Sequence, residues 1–136
     1  MAQIIINSLD NSRIRERIVQ LRRSGAPVPP EVSALLKELE KAELMEPEQI
    51  PPGVVTMHSK VLLRYLDSDR TMELELVYPE EADVKQKKIS IFSPIATALI
   101  GFREGDQVEW QIPSGLAKLK IEKVLHQPEA AGAYDL

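Results

Sequence analysis

Val61-Leu62-Leu63-Arg64-Tyr65-Leu66-Asp67-Ser68-Asp69-Arg70-Thr71-Met72-Glu73-Leu74-Glu75-Leu76-Val77-Tyr78 is the stretch on which the fold turns. Val61, Leu63 and Tyr65 alternate with Leu62, Arg64 and Leu66, and Met72, Leu74, Leu76 and Tyr78 alternate with Glu73 and Glu75. A period of two directs one side of each segment to a core and the other to water, the pattern of half-buried strands. Asp67 to Arg70 between them read as the turn of a β-hairpin. Downstream, Lys88 to Ser93 reads as a strand and Pro94 to Ile100 as a short helix, started by Ser93 and Pro94 and stopped by Gly101. Gln107 to Ile112 is a strand with Val108, Trp110 and Ile112 on one face. After the turn Pro113-Ser114-Gly115, Leu116 to Leu125 closes the sheet with Leu119 and Ile121 inward.

Upstream the period is helical. Asp10 or Ser12 is placed to cap a helix with Ile14, Ile18 and Leu21 on one stripe, ending at Ser24-Gly25. A second helix is expected from about Pro30 to Leu44, with Val32, Leu35, Leu36, Leu39 and Ala42 on its apolar face. The stiff loop Gly25-Ala26-Pro27-Val28-Pro29-Pro30 folds the two into an antiparallel hairpin. Asp10 to Arg23 holds five arginines and two acids, net +3, whereas Glu31 to Glu48 holds two lysines and six glutamates, net -4, so the arms attract one another. Helices this short are marginal alone and must lean on the rest of the protein or on a partner. Ile4-Ile5-Ile6 is β-branched and suits an added edge strand. The tail from Gln127 to Leu136 carries one aromatic, Tyr134, and reads either as docked or as frayed.

The expected fold class is therefore α+β, with residues 1–52 forming a short helical hairpin of coiled-coil type plus a linker, and residues 53–136 an antiparallel sheet with one short helix. The chain has 136 residues, of which 43% are hydrophobic and 28% charged, enough to close a modest core and contrary to global disorder. Apolar runs such as Ile4-Ile5-Ile6 and Leu99-Ile100 are far too short to cross a bilayer, and Met1-Ala2-Gln3 opens no secretory signal, so a cytoplasmic protein is expected.

A net charge of -4 disfavours nucleic-acid binding by bulk phosphate neutralisation. The absence of cysteine removes thiolate chemistry and zinc-thiolate sites. His58 and His126 stand in separate segments without ligand spacing and read as ordinary surface or strand histidines. Gly101-Phe102-Arg103-Glu104-Gly105 lacks the Lys and Ser/Thr that a phosphate loop needs. The carboxylate pairs Glu38/Glu40, Glu73/Glu75 and Glu80-Glu81 offer oxygen ligands for magnesium, yet they fall where the hydrophobic pattern already demands polar faces and loops. No catalytic residue, metal or cofactor is expected. Phe92 is the local exception: alternation sets it opposite Ile89 and Ile91, where it either packs under the hairpin or a second layer or stands exposed as an aromatic anchor for a protein partner.

Ile89-Ser90-Ile91-Phe92-Ser93-Pro94-Ile95-Ala96, followed by Leu99-Ile100-Gly101, Glu104-Gly105-Asp106 and Pro113-Ser114-Gly115, resembles the carboxyl-terminal domain of the bacterial Gre transcript-cleavage factors. Leu66-Asp67-Ser68-Asp69 and Glu81-Ala82-Asp83 fall where that family has similar motifs, so the resemblance covers roughly Val54 to Leu125. Ile4-Ile5-Ile6-Asn7, the short hairpin and Gln127-Pro128-Glu129-Ala130-Ala131-Gly132 resemble one subgroup, the regulators of nucleoside diphosphate kinase. The resemblance implies an FKBP-like carboxyl domain and binding to RNA polymerase at the rim of its secondary channel. There the family's strand-to-helix loop docks on the β′ subunit, which carried over names Phe92, Ser93, Pro94 and Ile95 as partner-binding residues. Gre factors have a polar Asn or Asp at the Phe92 position. They also present acidic residues at the tip of a long coiled coil to hold a second magnesium for transcript hydrolysis. Here the arms are short and the tip, Gly25 to Pro30, has no carboxylate, with Glu31 only the first residue of the second arm. The resemblance thus implies a non-enzymatic relative that competes with Gre factors without stimulating cleavage; a monomer is expected, although the exposed half of the hairpin's apolar stripe could pair two molecules.

Two rivals follow. An FKBP-like prolyl isomerase needs an aromatic-lined pocket, which a chain with 4% aromatic residues hardly supplies. The subgroup's name invites the other, a direct protein-binding regulator of nucleoside diphosphate kinase.

Overall fold

The computed structural model describes residues 4–112 and 115–133, the side chains of residues 110–112 excepted. The chain runs through Ile5–Asn7 (β1), Ser8–Arg23 (α1), Pro30–Lys41 (α2), Glu43–Met45 (β2), Lys60–Tyr65 (β3), Thr71–Val77 (β4), Lys88–Ser90 (β5), Pro94–Leu99 (α3), Gln107–Ile112 (β6) and Gly115–His126 (β7). It is an α+β molecule with a helical hairpin and a five-stranded sheet in the order β5-β4-β3-β7-β6. β3, β4, β6 and β7 pair antiparallel, whereas β5 joins the edge parallel to β4 after two single-turn helical segments. The sheet is therefore mixed rather than purely antiparallel. The turn at Pro113-Ser114, the inward placement of Trp110 and Ile112, and Tyr134 lie outside the described residues.

The helix ends differ from the periodicity reading. α1 starts at Ser8, and its cap is Asn7 rather than Asp10 or Ser12: the Asn7 side-chain oxygen accepts from the backbone N–H of Leu9 and Asp10. An Asn ahead of the first turn satisfies the free N–H groups there, which leaves Asp10 to turn inward. α2 stops at Lys41 rather than Leu44, because β1 offers the next residues a ladder partner: Glu43 N–H donates to Ile4 C=O at 2.9 Å and Ile5 faces Glu43 in a parallel pair. The expected strand at Ile4 to Ile6 thus forms over Ile5–Asn7, in a small separate ladder and not as an edge of the main sheet.

Ile14, Ile18, Val32, Leu35 and Leu39 of the hairpin are buried in one continuous cluster with Val61, Leu63, Leu74, Leu76, Leu119 and Ile121 of the sheet and Leu99 of α3. The short arms lean on the sheet as their length demands, each buried aliphatic side chain contributing about 2 kcal/mol of transfer free energy. The arms' opposite charges do not dictate the pairing of Arg17, which reaches Glu80 beyond β4 instead of α2. At the far end of the hairpin, residues 22 to 28 are exposed, and Gly25 makes its turn at φ +77°.

Candidate partner-docking site

Ser90 sets the geometry of the loop between β5 and α3. Its hydroxyl accepts from Phe92 N–H at 3.1 Å, and its carbonyl accepts from both Ser93 N–H at 2.9 Å and Ser93 Oγ at 2.8 Å. These local bonds close a tight turn, so the strand ends at Ser90 and the alternation that placed Phe92 on the opposite face stops before reaching it. Ile91 is fully buried, while Phe92 is half-buried and packs against the main core, which answers the choice left open for its ring in favour of packing. Ser93 then caps α3, its Oγ accepting from Ala96 N–H at 3.4 Å, and Pro94 occupies the first turn where its missing N–H costs nothing. Thr97 Oγ donates to Ile91 C=O at 3.1 Å and ties the helix back across the turn. The loop therefore presents Pro94 to solvent, with Ser93 and Ile95 half-exposed beside it on a pinned backbone.

α3 also receives the root of the hairpin. Gly101, at φ +85°, donates to Val55 C=O at 2.9 Å and accepts from Ile5 N–H at 3.2 Å. A Cβ there would stand 2.8 Å from Ile4 Cβ, so only glycine lets β1 approach.

Below this contact lies a set of residues that sequence reasoning did not single out. Glu129, 7% exposed, accepts from Asn7 Nδ2 at 2.6 Å and from Thr56 Oγ1 at 2.8 Å, while the Thr56 and Ser59 hydroxyls lie 2.8 Å apart. Asp10 Oδ2 accepts from Met57 N–H at 3.1 Å, and Gln127 donates to Val54 C=O at 2.7 Å and Pro51 C=O at 3.0 Å. The tail is thus docked through Gln127 and Glu129. Burial pushes the Asp10 carboxyl up to about 7, opposed by the Met57 N–H and assisted by the nearby Glu129 charge. One signal was legible: Asp10 stands four residues before Ile14 on the same stripe as Ile18 and Leu21, a carboxylate at a core position.

The two histidines share one cavity wall with Arg13, Arg17, Tyr78, Glu80 and Glu81. His58 Nε2 lies 2.8 Å from Glu81 Oε1, and its ring stands edge-on to Tyr78. Arg17 sits 4.1 Å over the Tyr78 ring and pairs with Glu80, whose carboxyl is held below its usual range by that hydrogen bond. Glu80 and Glu81 are exposed loop residues, as the hydrophobic pattern demanded, but each has a basic partner. No group of three or more metal-ligating side chains converges among the described residues. No helix among them is long and apolar enough to cross a membrane.

The profile of the GreA/GreB transcription elongation factor carboxyl-terminal domain matches residues 50–126. This chain belongs to the GreA/GreB family. Within that family it is 39% identical over 132 residues to the regulator of nucleoside diphosphate kinase of Escherichia coli K12, covering 96% of this chain and 95% of the relative, and it belongs to that subgroup. Against the elongation factor GreA of a Psychrobacter species the identity is 37% over 91 residues, 66% of this chain but only 58% of GreA. The solved GreA/GreB factor of Nitrosomonas europaea superposes with a TM-score of 0.75 at 38% identity, covering 91% of this chain and all of that one. These GreA/GreB relatives are regulators and elongation factors, so a transcription-factor-like role is the coarse assignment.

Proposed function

We propose that this protein binds RNA polymerase at the rim of the secondary channel, on the β′ subunit, and competes there with Gre factors without stimulating transcript cleavage. The observation that carries the reading is the contrast between a pinned docking loop and a hairpin with nothing acidic at its tip. Phe92 braces the loop from below, and Ser93, Pro94 and Ile95 meet the partner. Residues 53–136 dock, and residues 1–52 enter the channel mouth. α1 has 16 residues and α2 has 12, so the arms reach only about 18 to 24 Å. A tip of Gly25 to Pro30, with the nearest carboxylate at Glu31 on α2, supplies no ligand pair for a second magnesium. The protein acts as a cytoplasmic monomer with no cofactor of its own and no direct nucleic-acid recognition.

Competition with a Gre factor for core RNA polymerase tests this, with transcript cleavage as the readout. Suppression of Gre-stimulated cleavage, none added by the protein itself, and loss of the effect in Phe92→Ala/Pro94→Ala support the reading. Failure of the wild-type chain to bind or compete overturns it. The name of the Escherichia coli relative, regulator of nucleoside diphosphate kinase, favours one second reading, direct binding to that kinase. Capture of purified kinase, without polymerase, by the immobilised chain would favour that alternative.

A further inference from the structure

The tail beyond β7 closes over the root of the hairpin. Ala131 N–H donates to Gln127 C=O at 3.1 Å, Ala133 N–H to Pro128 C=O at 2.8 Å and Ala130 N–H to Gln127 Oε1 at 3.1 Å, so the tail is a single self-bonded turn. Gln127, Pro128 and Glu129 are buried, whereas Ala130, Ala131 and Gly132 are exposed. The anchors are polar: the Gln127 amide reaches the segment leading into β3, and Glu129 bridges Asn7 and Thr56. A lone turn held by a few polar bonds opens at lower free energy than a core strand.

Glu129 does not enter this site alone. The Asn7 amide links it to Asp10, donating to Glu129 through Nδ2 and accepting from Asp10 N–H through Oδ1. Asp10 is 3% exposed, and the Glu129 charge adds to the burial that holds its carboxyl at about 7. The groups facing Asp10 are Arg13 on its own helix, Tyr78 at the end of β4, the Met57 N–H ahead of β3 and Glu129 on the tail. Arg13 draws Asp10 toward its charged form, but burial outweighs it, and burial also raises the Tyr78 hydroxyl, which stays neutral. Beyond Arg13 and Tyr78, the wall of the neighbouring cavity carries Arg17, His58, Glu75, Glu80, Glu81 and His126.

We propose that the tail is a proton-operated latch: one proton held between Asp10 and Glu129 keeps Glu129 seated on Asn7 and Thr56, and its loss undocks the tail from the root while the sheet stays folded. Below neutral pH the pair carries a single charge, which the Asn7 amide and the Thr56 hydroxyl support. As pH rises through about 7 a second charge forms beside the first, and withdrawal of Glu129 into water relieves the pair. Docking then weakens by up to about tenfold per pH unit, the limit for one linked proton. Opening bares Asn7, Thr56 and Ser59, where α1 meets the entry of β3.

Amide protection factors of the full chain, which divide out the intrinsic base-catalysed rate, test this at about pH 6 and about pH 8. Ala131, Ala133 and Met57 should lose about tenfold in protection, while Leu63 and Ile121 stay slower at both pH values. Asp10→Asn and Glu129→Gln each remove one charge, and either should hold that loss below about twofold. Glu129→Gln is the deciding variant, since it changes only the tail and leaves α1 as it is. His58→Asn with His126→Asn should leave the tenfold loss in place, which separates the latch from the histidines of the cavity wall. Wild-type tail protection that does not change with pH, a loss that persists in Glu129→Gln or vanishes in the histidine variant, or tail and sheet amides that open together would overturn the latch.

Discussion

The sheet core and the hairpin root are both buried, and they are held by opposite means. Leu63, Leu74, Leu76, Leu119 and Ile121 fill the sheet interior with aliphatic side chains at most 1% exposed, which is insensitive to pH and tolerant in direction. The root, where β1 and α1 meet the strand entry and the tail, buries Asn7, Asp10, Thr56, Ser59, Gln127 and Glu129 instead. A polar joint of this kind adds little net free energy per bond but is costly to leave half-made. It ties the first turn of α1 to the entry of β3 and to the tail.

The largest expected effect lies on the apolar side of that contrast. Leu63→Ala, at a site with no exposure, should cost about 3 kcal/mol in chemical denaturation, with no dependence on pH. The root should behave otherwise. With the Asp10 carboxyl near 7 rather than 3.8, the folded chain holds a proton that the unfolded chain releases, so the stabilisation is complete below about 3.8 and is lost as pH rises through about 7. Between about pH 5 and 8 the loss should be on the order of 2 kcal/mol, and Asp10→Asn should flatten that slope. A stability curve of Asp10→Asn that still falls as steeply over this window would remove Asp10 as the source.

Gly101→Ala sharpens the comparison at the contact between root and α3. Its positive φ and the 2.8 Å approach to Ile4 should cost about 1 to 2 kcal/mol, with amide-exchange protection lost first in β1 and β2. Smallest of all, Arg17→Ala should cost about 0.5 to 1 kcal/mol: its pair with the exposed Glu80 is screened by water and falls away with added salt, leaving the loss of its contact with the Tyr78 ring.

Regular elements were legible where a period repeats. Val61 to Tyr65 and Met72 to Val77 announced the central hairpin, Ser93 and Pro94 announced α3, and Val32, Leu35 and Leu39 announced the buried face of α2. The strand before α3 was read as running to Ser93 and ends at Ser90, because alternation carries no information about a serine that ends its own strand by bonding the backbone two and three residues on. β2 escaped because its partner β1 lies almost forty residues away, and a helix-compatible segment yields to a ladder only when one is present.

The sequence alone determined the α+β class, the two short arms, the absence of an acidic tip and the strand-to-helix turn at Ser93-Pro94, since each depends on periodicity, punctuation or residue type within a few positions. Only the tertiary structure decided that Asn7, Asp10, Thr56 and Glu129 meet and that Gly101 must admit Ile4. Those are contacts between residues distant in the chain. A buried polar group betrays its partner only by the geometry that satisfies it, and no local pattern encodes that geometry.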